Sequence, residues 1–559
     1  MGDAKGLKPS PDWSKGVVVA KNVVGSQGFA VQPDGQRLYL VYPYDLGEGP
    51  RLHFQQLGPD AEAIVTRDID IATERLRRSR LLLAGPGSLH LFWETRDPQA
   101  GWSLWYAPIS DDGQLREEPV RLSQEGIEVG RYEAVPTSDG SAVVVWDSPR
   151  NEEVYGQAIG AAGDLEGSPV LLVERGTDPS IAVGADDSID LTWVEGENIR
   201  YANFPGSTLA TISGERIASV QIGTGDTLFG PVIGKSDGWI YVFWSRLSRS
   251  GLTAGQASTS YVSFPNGAAA EASLPEVVAV LPLEELPYQP YSGIYNLTQI
   301  VTEDAGPSRS DYAYEPNPFK YELPELAVGI ATKQVDRLDE LVQVATLHFE
   351  DGDIKGFNFS GKTPGFSSSP VVAADSTGDL YFSWRDGSSG EQIFLSTTAP
   401  EMKSEIDRIE GSDLANTMLQ GGIEGLATVL LFPLAIPWIV PGYILIGVWK
   451  IFRDYESLAE RSSQIILIVA LILYEITKLL FLPTIVTYVP FSAWIDIPAG
   501  LATPLRVGYP IFTLGLGVLF AELNRRRGNE STLLYYTIVV FTDLLLTLAV
   551  YGVAYLGVF

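Results

Sequence analysis

From Val24 to about Thr398, apolar and polar residues alternate with a period of two in short runs bounded by glycine or aspartate turns. "GQRLYLVY" (Gly35 to Tyr42), "GSLHLFW" (Gly87 to Trp93), "GSAVVVW" (Gly140 to Trp146), "DSIDLTW" (Asp187 to Trp193), "GWIYVFW" (Gly238 to Trp244) and "GDLYFSW" (Gly378 to Trp384) each pass from such a turn into a run closed by an aromatic. Successive side chains on a strand point to opposite faces, so these runs predict β-strands with at least one buried face. The closing aromatics Tyr42, Trp93, Trp146, Trp193 and Trp244 stand 51, 53, 47 and 51 residues apart. A second motif, G-x-L-x3-P-V-x-L, keeps the same step, with "GQLREEPVRL" starting at Gly113 and "GDLEGSPVLL" at Gly163. Each repeat also holds a small-residue run such as "PSIAVGA" (Pro179 to Ala185) and a later run such as "NIRYANF" (Asn198 to Phe204). Four short strands in a repeat near fifty residues predict one blade of a β-propeller.

Between Trp244 and Trp384 lie 140 residues with one clear unit, "LVQVATLHFEDGDIKGFNF" (Leu341 to Phe359). Seven blades fit the spacing best, with six and eight open. The residues near 265–325 read as a Tyr/Pro-rich insertion or a disguised blade. They hold the candidate ligand-binding residues Tyr288, Tyr291, Tyr295, Tyr312, Tyr314 and Tyr321. A tyrosine offers a rigid face and a hydroxyl, which suits a sugar or a protein surface. The competing reading packs these rings on the propeller itself.

After Thr398 the period changes. "EMKSEIDRIEGSDLANTMLQ" (Glu401 to Gln420) places Ile406, Ile409 and Leu414 at near-helical spacing and predicts an amphipathic connector. Four apolar stretches follow, at Leu426–Trp449, Ile465–Val489, Ala499–Phe520 and Thr532–Phe559. At about 1.5 Å per residue each crosses a hydrocarbon core of about 30 Å. The expected organisation is multidomain: an N-terminal extension (1–23), an all-β propeller of about seven blades (24–398), a connector (399–422), and an all-α polytopic membrane domain of four helices (423–559).

Charge adds the orientation. Lys450, Arg453 and Arg461 lie between the first two stretches and Arg525, Arg526 and Arg527 between the last two, whereas "PFSAWIDIP" (Pro490 to Pro498) has no Lys or Arg. By the positive-inside rule the two basic loops are cytoplasmic, and the propeller and C-terminus of this multi-pass cell-membrane protein are extracytoplasmic. The first 25 residues lack the apolar core of an export signal, so this topology calls for a signal or anchor ahead of them; the inverted topology is the alternative. Inside the spans stand four ionisable residues: Glu475 and Lys478, three apart on one helix face, then Arg506 and Asp543. Charges in lipid are paired or turned to a cavity, so they predict either an interhelical fastener or an ion or proton path.

Composition narrows the chemistry. Of a net charge of −30, residues 401–559 hold 10 Lys/Arg and 14 Asp/Glu, leaving −26 on the first four hundred. A surface so acidic argues against nucleic acid and anionic headgroups as partners of the propeller. There is no cysteine, and His53, His90 and His348 match no zinc spacing. The acidic turn Glu350–Asp353 lacks EF-hand spacing, so neither a metal nor a cofactor is expected.

The order "P-x-I-A, turn, D-G-x-L-x-L-x-W, polar loop, I-x-Y-A" resembles the blades of sialidase-like, BNR-repeat (Asp-box) β-propellers, in degenerate form, from Val24 to about Thr398. Ser110 and Asp112 match the Asp-box S-x-D-x-G-x-T-W, while Gly113 comes one position early. The resemblance implies a propeller fold and glycan chemistry. The family's Arg-Ile-Pro motif is absent, and no arginine matches its triad by motif. The favoured reading is therefore a non-catalytic, membrane-anchored propeller that binds a glycan or protein. A sialidase-like glycoside hydrolase and the outer-domain subunit of a membrane transport or export complex are the alternatives.

Overall fold

The computed structural model describes residues 11–556 except 46–48, 72–74, 86, 98–100, 185, 207, 249–256, 279–297, 300–324, 337–338, 362, 364–366, 388–390, 409–431, 454–456, 483–484, 486–487, 492–496 and 498. The chain divides into two compact units, one of Gly6–Arg408 and one built on Ile409–Phe559.

The first unit is a seven-bladed β-propeller. Six four-stranded antiparallel sheets are consecutive in sequence: blade 1 (28–69), blade 2 (76–121), blade 3 (132–173), blade 4 (177–219), blade 5 (226–277) and blade 6 (298–359). Blade 7 takes three strands from 367–397 and its outer strand from Val17–Lys21, with Val17 opposite Leu395 and Lys21 opposite Gln392. The first strands of neighbouring blades touch from blade 7 through blade 1 to blade 5. The segment read from sequence as an N-terminal extension, 1–23, thus contributes the strand that closes the ring. Its five apolar-rich residues find a partner almost four hundred residues away, which no local pattern announces.

The repeat residues occupy equivalent places. Tyr42, Trp93, Trp146, Trp193, Trp244 and Trp384 all lie in the second strand of their blades, each at most 5% exposed. They pack between sheets, because a blade covers its apolar face only with the next blade. Val31, Leu38 and Leu40 of blade 1 meet Val371, Tyr381 and Leu395 of blade 7 in one such core. The indole N–H groups of Trp93, Trp193 and Trp384 meet no acceptor among the described residues, so these rings serve by size. Gly16 and Gly361 close on Trp384, where an added Cβ would come within 2.8 and 2.4 Å of its ring.

Of the expected connector, helix α1 (Pro400–Ile406) belongs to the propeller unit. Pro sits in its first turn, and Met402 and Ile406 enter the core shared by blades 7 and 1. The connector from residue 409 onward, and the six tyrosines singled out in the insertion, lie outside the described residues.

The second unit contains α2 (Ile436–Ile451), α3 (Arg461–Phe481), α4 (Ala499–Arg526) and α5 (Thr532–Leu556). Helices α3, α4 and α5 are long and apolar enough to cross a membrane, and α2 is an apolar helix too short to meet that length. Several boundaries differ from those expected, among them the starts of α2 and α3, and two of the ends have a reason in the sequence. Helix α3 stops at Phe481, and Leu482, which precedes a proline in the sequence, has left the helical region at φ −125 and ψ 68. Helix α4 runs on to Arg526 because "AELNRR" forms helix well and Glu522 pairs with Arg525 at 2.7 Å and Arg526 at 3.4 Å. The two basic connections meet at one end of this unit: Ser457 Oγ donates to Glu530 Oε2 at 2.5 Å, and the Leu458 N–H donates to the Glu530 carbonyl at 2.9 Å.

Candidate functional site

The first strands of blades 2, 4, 5 and 7 share one irregularity. Between Leu76 and Ser79, Thr177 and Ser180, Phe229 and Val232, and Ser368 and Val371, three steps on the first strand match two on the second. The extra residue is a β-bulge, which bends the strand and re-aims its side chains. Three of the four are built alike, by Asp178-Pro179, Gly230-Pro231 and Ser369-Pro370, with the residue before proline at positive φ (53°, 92° and 50°). Proline suits a bulge because its missing N–H leaves no ladder bond unmade. In blade 2 the bulge is filled by Arg77 and Arg78.

Around the bulges of blades 2 and 4 a charged cluster links three blades. Arg77 grips Glu94 with two bonds, Nε to Oε2 at 2.6 Å and Nη2 to Oε1 at 2.9 Å. Its Nη2 also donates to the carbonyls of Val129 and Gly130, and its guanidinium lies 4.4 Å over the Trp102 ring. Arg78 Nη1 donates to the same Gly130 carbonyl at 2.9 Å. Glu94 is fully buried, whereas the Arg77 and Arg78 side chains keep 13% and 16% of their surface. Next in sequence, Arg131 donates to Glu133 at 3.1 Å, and Glu133 accepts from Ser180 Oγ and the Ile181 N–H of blade 4.

Asp147 joins blades 3 and 4. Its two oxygens accept the N–H groups of Arg131 at 2.5 Å and of Asp178 at 2.9 Å. The second bond holds Asp178 in the left-handed conformation that an aspartate tolerates only at some cost. Burial, and then the neighbouring Asp178, push the Asp147 carboxyl up to about 7, against the pull of the two amide donors. Burial raises the Asp178 carboxyl as well, opposed by Arg131, Thr177 and Arg78. A carboxyl that titrates near neutrality beside guanidinium groups can hold or pass a proton, and such perturbed groups mark candidate functional sites.

A second polar cluster lies in the helical unit. Lys478 Nζ donates to Asp543 Oδ2 at 2.8 Å and to Glu475 Oε1 at 2.9 Å. Tyr474 donates to Asp543 Oδ2 and Thr513 to Asp543 Oδ1, each at 2.6 Å. Helices α3, α4 and α5 all contribute, and Lys478, Asp543, Tyr474 and Thr513 are buried. Of the four ionisable residues singled out from sequence, the structure brings Glu475, Lys478 and Asp543 together. Arg506 stays apart and exposed on α4.

Sequence reading passed over Arg77, Arg78, Glu94, Arg131, Asp147 and Asp178. Two signals mark three of them: the proline of the P-x-I-A run marks the bulge at Asp178, and an acid directly follows the closing tryptophan at Trp93-Glu94 and Trp146-Asp147, whereas no local pattern marks Arg77, Arg78 or Arg131.

No family model and no curated protein matches the chain. Solved structures do. An ulvan lyase of polysaccharide lyase family PL25, seen bound to -[GlcA(1-4)Rha3S]-, is 12% identical, with 68% of this chain and 95% of that chain covered and a TM-score of 0.40. The endo-arabinase of Bacteroides thetaiotaomicron is 10% identical, with 68% and 96% covered and a TM-score of 0.31. A GH43_1 enzyme of Xanthomonas citri is 12% identical, with 47% and 94% covered and a TM-score of 0.28. At these scores the likeness assigns no role to any residue of this chain.

Proposed function

We propose that the chain is a membrane-anchored recognition module whose propeller takes a glycan at the bulged end of blades 2 to 4. The convergence of Arg77, Arg78 and Arg131 with Glu94 and Asp147 beside the bulges carries this reading. The guanidinium groups of Arg77, Arg78 and Arg131 keep part of their surface and offer paired, planar hydrogen bonds that match neighbouring sugar hydroxyls, held in place by buried Glu94 and Glu133, and Trp102 supplies an aromatic ring next to them. The −26 charge of the first four hundred residues favours a neutral or weakly charged glycan over a polyanion. The bilayer surrounds the apolar helices, and the propeller stands outside the cell, with the loops at Lys450–Arg461 and Arg525–Arg527 inside. That both basic loops meet at one end of the helical unit supports their lying on one side.

A second reading, a sialidase-like glycoside hydrolase, is favoured by Asp147 alone, whose carboxyl at about 7 suits a general acid. One experiment separates the two. The full chain in mild detergent is probed on a glycan array, and every glycan bound is then checked for cleavage products. Binding without products is expected, and Arg78→Ala or Arg131→Ala should weaken it about tenfold or more, the worth of a charged hydrogen bond. Products that disappear in Asp147→Asn while binding persists would establish the hydrolase. Absence of any glycan binding by the folded protein sinks both.

A further inference from the structure

The Lys478–Asp543 pair is balanced by itself. One ammonium meets one carboxylate at 2.8 Å, and the second oxygen of Asp543 is satisfied by Thr513. What the fastening of three helices leaves unexplained is Glu475, a further carboxylate on the same ammonium at 2.9 Å. With both acids ionised the network carries one negative charge more than positive. Asp543 and Thr513 lie close to the midpoints of α5 and α4, far from either helix end. Among apolar helices in lipid an uncompensated charge is expensive, and a single added positive charge removes the imbalance.

Among the described residues the surroundings bring no such charge. The other titratable groups near the network among the described residues are phenols: Tyr474 donates to Asp543, Tyr509 on α4 donates to the Leu546 carbonyl, Tyr551 on α5 lies against Tyr509, and Tyr536 on α5 faces Tyr443 of α2. Arg506, the remaining cation well inside these helices, is exposed and has no recorded partner among the described residues. Glu475 is also the open end of the network. Its side chain keeps 28% of its surface, and no donor meets its Oε2 among the described residues, whereas both oxygens of Asp543 are bonded and buried.

We propose that Glu475 is a proton-exchange site. Its Oε2 takes a proton from hydronium, leaving water, which brings the Glu475–Lys478–Asp543 network to zero net charge; on release the proton returns to water and the network again carries the excess. This inference stands apart from the glycan reading and rests on the helices lying in lipid.

The test uses the full chain in phosphatidylcholine nanodiscs, following the infrared carbonyl stretch of protonated carboxyl groups through a pH titration. Subtracting Glu475→Gln from the unmodified protein removes the contribution of propeller carboxyls such as Asp147. The expected result is one protonated-carboxyl band present in the unmodified protein, lost in Glu475→Gln, and retained but displaced in frequency in Glu475→Asp. Because glutamine imitates the neutral acid, Glu475→Gln should remain folded; if it does not, the displaced band of Glu475→Asp still decides. A band unchanged in both variants overturns the proposal, since the proton then sits elsewhere. A missing band together with a melting temperature raised by sodium chloride but not by choline chloride overturns it too, in favour of a bound sodium ion.

Discussion

At Asp147 the burial of a carboxylate competes with two amide donors, and burial prevails, as its elevated pKa records. The sign of the effect on stability follows from linkage. In the unfolded chain the group titrates near 3.8 and in the fold near 7, so below about pH 4 both states hold the proton and the fold keeps the full benefit. As the pH rises toward 7 the unfolded chain sheds its proton first, and the fold loses up to about 1.4 kcal/mol per pH unit. Asparagine imitates the protonated acid, so Asp147→Asn should melt together with the unmodified protein in acid. The variant should become the more stable of the two as the pH rises above about 4, with the gap widening until about pH 7 and constant beyond it. Melting curves of both proteins across this range check it, and a constant difference would show that Asp147 does not titrate in the window.

Among the elements, the outer strand Val17–Lys21 and helix α1 act together. Trp13, 3% exposed, sets its ring edge-on to Phe382 at 5.9 Å, and Ser14 exchanges bonds with Thr397. The Lys15 N–H donates to Asp407 Oδ1 at 2.8 Å, and Lys403 Nζ donates to the Pro11 carbonyl. Met402 fills the core beneath, so Met402→Asp should bury an unpaired charge and cost about 3 kcal/mol or more. Amide hydrogen exchange is expected to accelerate across Val17–Lys21 while the strands of blades 3 and 4 keep their protection. Uniform acceleration would mean that the ring opens only as a whole. The same elements show what sequence can convey. The aromatic-closed runs revealed the second strand of six of the seven blades because turn, alternation and closing aromatic are local. The closing strand "VVVAK" stayed hidden because its pairing is not local, and blade 6 stayed blurred because its repeat is interrupted. The bulges were legible only as the proline of P-x-I-A, and their chemistry waited for three blades to come together. In the helical unit the spacing of Glu475 and Lys478 was visible as i, i+3, but Thr513 and Tyr474 join only through packing.

For the whole molecule, the reading of an external propeller makes a direct prediction. In this cysteine-free chain, cysteines placed singly at Ser462 and Ser492 should react oppositely with an impermeant thiol reagent on intact cells, only Ser492→Cys being labelled. The reverse pattern would invert the orientation. The outer strand of blade 7 bears on how such a molecule is made. A chain emerging from the ribosome presents Val17–Lys21 before any other strand of the propeller, yet the strand it needs, with Leu395 opposite Val17, is among the last parts of the propeller to be synthesised. Through that interval six blades can assemble in order, each from its own consecutive strands, while the strand that will complete the seventh waits with a bare edge. Closure of the ring cannot precede synthesis of the strand around Leu395, about forty residues ahead of α2, so that sealing the propeller and delivering the helices to the membrane become neighbouring events in time.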